Sequence, residues 1–242
     1  MDRIIAFDLW GRQAHYKKIY ATTTALTYPI PVKTAVYGTV GAIIGLDKTD
    51  NRYLSHFKPG SCKIGLQIMR PLAFQRININ LRAVFGSMKP NDNRKPTLME
   101  FVHKPHYRIY FTHEDHQLLE DLRQCLEFKQ CVYTPSLGLA NLLASFSFVG
   151  QWEFKTTIPA GVQPIHSVIP RRSLLALDKN QTFDGGNRIM EISQYALEMD
   201  EDRNVLDRDD IILDQNGRAI FAEVKELVSL DSSQNPTNVV LF

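Results

Sequence analysis

The 242-residue chain has little cysteine, no long apolar run and no internal repeat, and each shortage closes a class of explanation. Cys62, Cys125 and Cys131 are odd in number and form no Cys-x-x-Cys pair. That excludes a disulfide framework or a zinc ribbon and fits a reducing compartment, with the three thiols read as small core residues. The longest nearly apolar stretch, Val32 to Leu46, falls short of the roughly 20 residues a membrane helix needs. Met1-Asp2-Arg3 runs into apolar Ile4 to Leu9 without a signal-peptide pattern. The expectation is a soluble, cytoplasmic protein without a membrane partner. Low-complexity sequence is also missing, and 44% apolar side chains suffice for a hydrophobic core.

Charge is present, and it is unevenly spread. Residues 1–69 carry nine Lys/Arg against four Asp/Glu, and residues 70–108 carry eight against two, whereas residues 178–242 carry six against fourteen. A basic front and an acidic rear suggest one face for a polyanion and another for a different partner. The basic residues of the front are interleaved with amides and apolar residues, as in Arg76-Ile77-Asn78-Ile79-Asn80-Leu81-Arg82.

Periodicity predicts a first strand over Ile4 to Leu9 ending at Gly11, then a loop from His15 to Tyr28. A helix follows from Val32 to Leu46, with proline in its first turn. Strands are expected over Cys62 to Leu72, Tyr107 to Phe111 and Ser145 to Phe154. A second helix is expected over Glu114 to Phe128, capped by Thr112 with an acidic first turn. The order strand-helix-strand-strand-helix-strand is that of an α+β, ferredoxin-like (RRM-like) domain spanning residues 1–155. An insertion at about residues 73–104 reads as a hairpin, with Ile77, Ile79 and Leu81 going out, a polar tip from Ser87 to Lys95, and Leu98 to Val102 returning. Residues 156–242 read as a small β-rich, acidic C-terminal region with strands over Arg188 to Leu197 and Ala219 to Val228.

The first helix contains Gly38, Gly41 and Gly45, each costing up to about 1 kcal/mol against alanine inside a helix. Either the helix packs tightly on its own sheet or a partner approaches its axis. The unpaired N–H groups and dipole at the helix start form an anion site, to which Lys33 and Thr34 add a cation and a hydroxyl. In the preceding loop, Lys17 and Lys18 stand with Tyr16 and Tyr20, a set suited to gripping phosphates and stacking splayed bases.

Around this helix the run Tyr28-Pro29-Ile30-Pro31-Val32-Lys33-Thr34-Ala35-Val36-Tyr37-Gly38-Thr39-Val40-Gly41-Ala42 resembles the Cas-five family. These are RAMP-superfamily subunits of type I CRISPR Cascade, and the likeness is greatest to the I-B type. Three other stretches agree in order and spacing: the initial strand ending in Gly11, Arg94 to Phe111, and Tyr133-Thr134-Pro135-Ser136-Leu137-Gly138. The chain departs from some relatives at Met99, where they carry arginine, and at Ser136, where they carry an aromatic.

The resemblance implies a non-catalytic subunit that caps the 5′ handle of the crRNA, contacts the backbone and large subunits of Cascade, and meets target DNA only through the complex. Lys33, Thr34 and Tyr37 then fall on the handle-binding helix, and Ser136 and Gly138 on a handle-side loop. Residues 73–104 become the thumb, whose Arg76, Asn78, Arg82, Arg94 and Lys95 meet RNA while its apolar residues meet protein. No cofactor is implied.

Two catalytic readings compete. His103 and His106, then His113 and His116, form two His-x-x-His pairs, but the first pair falls at a strand, where a three-residue offset points side chains to opposite faces. Neither pair carries the glutamate of a His-Glu-x-x-His helix, so no metal is expected. The second is metal-independent cleavage of CRISPR repeat RNA by general acid–base chemistry, with His103, Lys104 and His106 and the tyrosines at 28 and 37 as candidates.

Overall fold

The computed structural model describes residues 2–18, 24–82, 94–200, 202, 204–230 and 236–242, the side chains at 81, 82, 94 and 95 excepted. Strand dominates. The elements used below are β1 (Asp2–Gly11), β2 (Tyr16–Lys17), β3 (Thr27–Tyr28), α1 (Lys33–Ile44), β4 (Cys62–Ile68), β5 (Phe74–Arg82), β6 (Arg94–His103), β7 (His106–His113), α2 (His116–Glu127), β8 (Ala144–Phe154), β9 (Ile189–Met199) and β10 (Val205–Asp214).

Four strands form the central sheet in the order β4-β7-β1-β8, every neighbour antiparallel. Alternation decides which side chains go where. Ile5, Phe7 and Leu9 of β1, with Tyr107, Ile109 and Phe111 of β7, enter the main core. There they meet Val36, Tyr37, Val40 and Ile43 of α1 and Leu118, Leu119, Leu122 and Leu126 of α2, each set spaced to line one helical face. Ile4, Ala6 and Tyr110 point to the other side, under Val228, Leu230 and Val239 of the chain's last strands.

Several local expectations change. Asp115 caps α2, accepting from the N–H groups of Gln117 (2.9 Å) and Leu118 (3.2 Å), because Thr112 is still inside β7. The first turn of α2 carries no acid. Pro29 and Pro31 precede α1 instead of lying in its first turn; Val32 is the N-cap and makes no side-chain capping bond. The stretch read as a loop from His15 is closed by a two-residue ladder, Tyr16 opposite Tyr28 and Lys17 opposite Thr27. Cys62 is buried, but Cys131 is exposed and not a core residue. Gly45 is the left-handed C-cap of α1, not an interior residue.

The insertion is a hairpin, paired without interruption from Phe74↔Val102 to Arg82↔Arg94, and most of the expected tip lies outside the described residues. Its lower part is seated on the main core through Met99 and Phe101, with Ile77 and Ile79 packed at the edge. The acidic C-terminal region contributes Ile192, Tyr195 and Leu197 of β9 and Ile211 and Leu213 of β10 to that same core. The expected strand over Ala219 to Val228 is two strands, Ile220–Val224 and Leu227–Leu230. No helix is long and apolar enough to cross a membrane among the described residues.

Candidate nucleic-acid interface

The start of α1 is not an open anion site. Lys33 is 3% exposed, and its ammonium donates to the carboxylate of Glu198 on β9. Thr34 directs its hydroxyl to the Met199 sulfur at 3.6 Å. Two tyrosines hold the turn before the helix: Tyr107 donates to the Pro29 carbonyl and Tyr195 to the Pro31 carbonyl, both at 2.7 Å. The Tyr-Pro-x-Pro run is therefore a buried hydrogen-bonded entrance to the helix. Tyr37 is buried too, its ring stacked on Phe57 at 4.6 Å, so it presents no face to a base. Burial pushes its phenol pKa far up, which removes it as a proton acceptor near neutral pH.

A second group of predicted residues does converge. Lys17 is exposed on β2, and Lys18 beside it lies over the Tyr28 ring, 5.7 Å from its centroid. Tyr16 faces inward and is buried, as alternation on so short a strand requires. On one flank the His15 N–H donates to the Leu137 carbonyl at 3.0 Å. Gly138, at φ 96°, lies so close that a Cβ there would run into the His15 carbonyl. Its identity thus has a steric cause. Ser136 precedes it, half-buried and bridged to Leu143.

On the other flank stands the hairpin. Ala25 exchanges backbone hydrogen bonds with Leu98 (3.1 Å) and Glu100 (2.9 Å), and His15 Nδ1 lies 2.7 Å from the Glu100 carbonyl oxygen. The Glu100 carboxylate is held by Arg76, with Nη2 at 3.0 Å and Nε at 3.1 Å, leaving most of the arginine side chain exposed. Asn78 and Asn80 follow on the same exposed face of β5. Three separate segments thus meet: the β2–β3 ladder, residues 135–138 and the base of the hairpin. Tyr20 lies outside the described residues, as do the side chains of Arg82, Arg94 and Lys95.

Sequence reasoning missed two residues. Glu100 ties the hairpin to His15, and Glu198 pairs with Lys33 at the start of α1; only the excess of acid in the rear of the chain hinted at the second. The histidine pairs are separated by the fold. His103 ends β6 and His106 begins β7, two strands of different sheets joined at Lys104, which has φ 46°. His113 uses both ring nitrogens, Nδ1 accepting from the Asp115 N–H at 2.9 Å and Nε2 donating to the His56 carbonyl at 2.8 Å. No group of His, Cys, Asp or Glu suited to a metal occurs among the described residues.

This mixed α/β, strand-rich fold is similar to that of a CRISPR protein of known structure. A crystal structure of a CRISPR protein from Archaeoglobus fulgidus matches with a TM-score of 0.50 at 12% identity, over 98% of this chain and 97% of that one. A chain of the Type III-B Cmr-beta complex bound to cognate target RNA and AMPPnP matches at 0.49 and 12% identity, covering 90% of this chain and 86% of its own. A chain of a CRISPR RNA-guided surveillance complex matches at 0.45 and 12% identity, covering 90% and 91%. Neither a family model nor a curated protein sequence matches the chain.

Proposed function

We propose that this chain is a guide-RNA-binding subunit of a CRISPR ribonucleoprotein complex, acting in the cytoplasm by binding without turnover. The finer reading is a Cas-five subunit of type I Cascade with a ferredoxin-like RAMP domain. It would cap the crRNA 5′ handle beside the backbone and large subunits. The observation that carries this is the convergence of the three segments named above. Lys17 and Lys18 supply phosphate contacts, and the residues 135–138 and the exposed side of the hairpin supply the walls. The central sheet order β4-β7-β1-β8 agrees with the ferredoxin-like assignment. Similarity of fold to the Archaeoglobus fulgidus protein supports the CRISPR context.

The test is salt-dependent binding of the purified chain to repeat-derived RNA that carries the handle. Replacing both lysines (Lys17→Ala, Lys18→Ala) should flatten the plot of log affinity against log salt by about two charges. A slope equal to that of the parent protein would remove this surface from the RNA site. Incubation of the parent protein with the same RNA in EDTA should leave it uncut, whereas a discrete cleavage product would give the ribonuclease reading first place.

A further inference from the structure

The face of the central sheet turned away from α1 and α2 is covered over only part of its area. The part containing Ile4, Ala6 and Tyr110 is sealed by Val228, Leu230 and Val239. Strand alternation carries the same face on to Asp8 and Trp10 of β1 and to Arg108 and His106 of β7. Asp8, Arg108 and His106 are partly buried there, and Trp10 stands outside the buried clusters. Trp10 is 36% exposed, and its ring lies across from that of His106, their centroids 5.7 Å apart.

The charges around this ring are arranged in one sense. Asp8 is bound in bidentate fashion by Arg108, with Nε–Oδ1 at 2.8 Å and Nη2–Oδ2 at 3.1 Å, so its charge is already neutralised. His106 Nε2 stands 3.4 Å from the same carboxylate; it is buried and makes no hydrogen bond among the described residues. At the strand ends lie Arg12, Arg70 and Lys104, all exposed and without an ion pair among the described residues. Those ends are tied together: the Lys104 N–H donates to the Arg12 carbonyl at 2.8 Å, and the Met69 N–H to the His106 carbonyl at 2.9 Å.

The indole keeps 36% of its surface open, and a rim of unpaired cations suits no apolar partner. Together they have the composition of a base-stacking platform with phosphate contacts at its edge. We infer that this half-face binds an unpaired base of single-stranded RNA on Trp10, with the flanking phosphates on Arg12, Arg70 and Lys104. The platform uses neither Lys17 nor Lys18, and RNA as its ligand rests on the function proposed above.

Trp10 is one of two tryptophans, so the contact has its own optical signal. Titrating the full chain with octauridylate should quench indole fluorescence to saturation, and the quench should disappear in Trp10→Phe. Affinity for the labelled oligonucleotide should fall about tenfold in Trp10→Ala and stay near the parent value in Trp10→Phe, since a smaller ring still stacks. Arg70→Ala should lower the salt slope by about one. The Lys17→Ala, Lys18→Ala double variant should keep the quench, which separates this platform from the handle site. No quench in the parent protein, or unchanged affinity in a folded Trp10→Ala, overturns the inference. Retained RNA affinity with lost assembly into a protein complex would assign the face to a protein and overturn it equally. Should Trp10→Ala fail to fold, the parent titration and Arg70→Ala decide.

Discussion

Two lysines of the basic front, Lys17 and Lys33, end in opposite surroundings. Lys33 opens α1 with its side chain 4% exposed, against a glutamate 165 residues further along the chain. Lys17 sits on a two-residue strand whose other residue, Tyr16, provides the anchoring, so its own side chain is left to solvent. A lysine at a helix start is suited to meet an outside anion, and here a carboxylate of the same chain already holds its ammonium. The β2–β3 surface has no such internal partner for Lys17 among the described residues. The difference separates a cation that stabilises the fold from one that remains open to a ligand.

The sharpest way to break this comparison is to remove Lys33. Lys33→Ala leaves Glu198 buried without its counter-ion and should cost about 3–5 kcal/mol in urea unfolding. Pairing it with Glu198→Leu should recover most of that loss. A cost below about 1 kcal/mol would mean a solvent-screened pair and a helix start still accessible to an outside anion. Gly138→Ala tests the wall of the open surface. A side chain at φ 96° directed at the His15 carbonyl should cost about 2 kcal/mol, lowering the melting temperature by about 4–8 °C. An unshifted melting curve would show that residues 135–138 move freely relative to β2. The smallest effect is expected at Gly38, where an added Cβ would find only the Tyr53 hydroxyl, at 3.9 Å. Gly38→Ala should therefore gain up to about 1 kcal/mol of stability. A variant that is more stable yet fails to assemble would identify this helix face as a place where a partner comes close.

The elements of the central sheet were legible because their side chains follow simple periods. Val36, Val40 and Ile43 mark one face of α1, and Ile5, Phe7 and Leu9 alternate along β1. The hairpin could be read from Ile77 and Ile79 for the same reason. β10 was missed: its first six residues, Val205 to Asp210, carry three aspartates and an arginine, and it becomes a strand through pairing with β9 and the Arg172 bridges to Asp207 and Asp209. The cap of α2 was misplaced because Thr112 and Asp115 are both good capping types, and only the end of β7 decides between them.

For the site, the residue types were visible and their environments were not. A basic, amide-rich front, two helices, a central sheet and a hairpin could be read from the sequence, since these depend on local periodicity and composition. Which of the front's groups face solvent is set by long-range packing. Burial and ion pairing join residues far apart in the chain, as Glu198 joins Lys33, Glu100 joins Arg76 and Tyr195 joins Pro31. A lysine in a sequence states its charge, but whether that charge holds the fold or meets RNA depends on the carboxylate the rest of the chain brings to it.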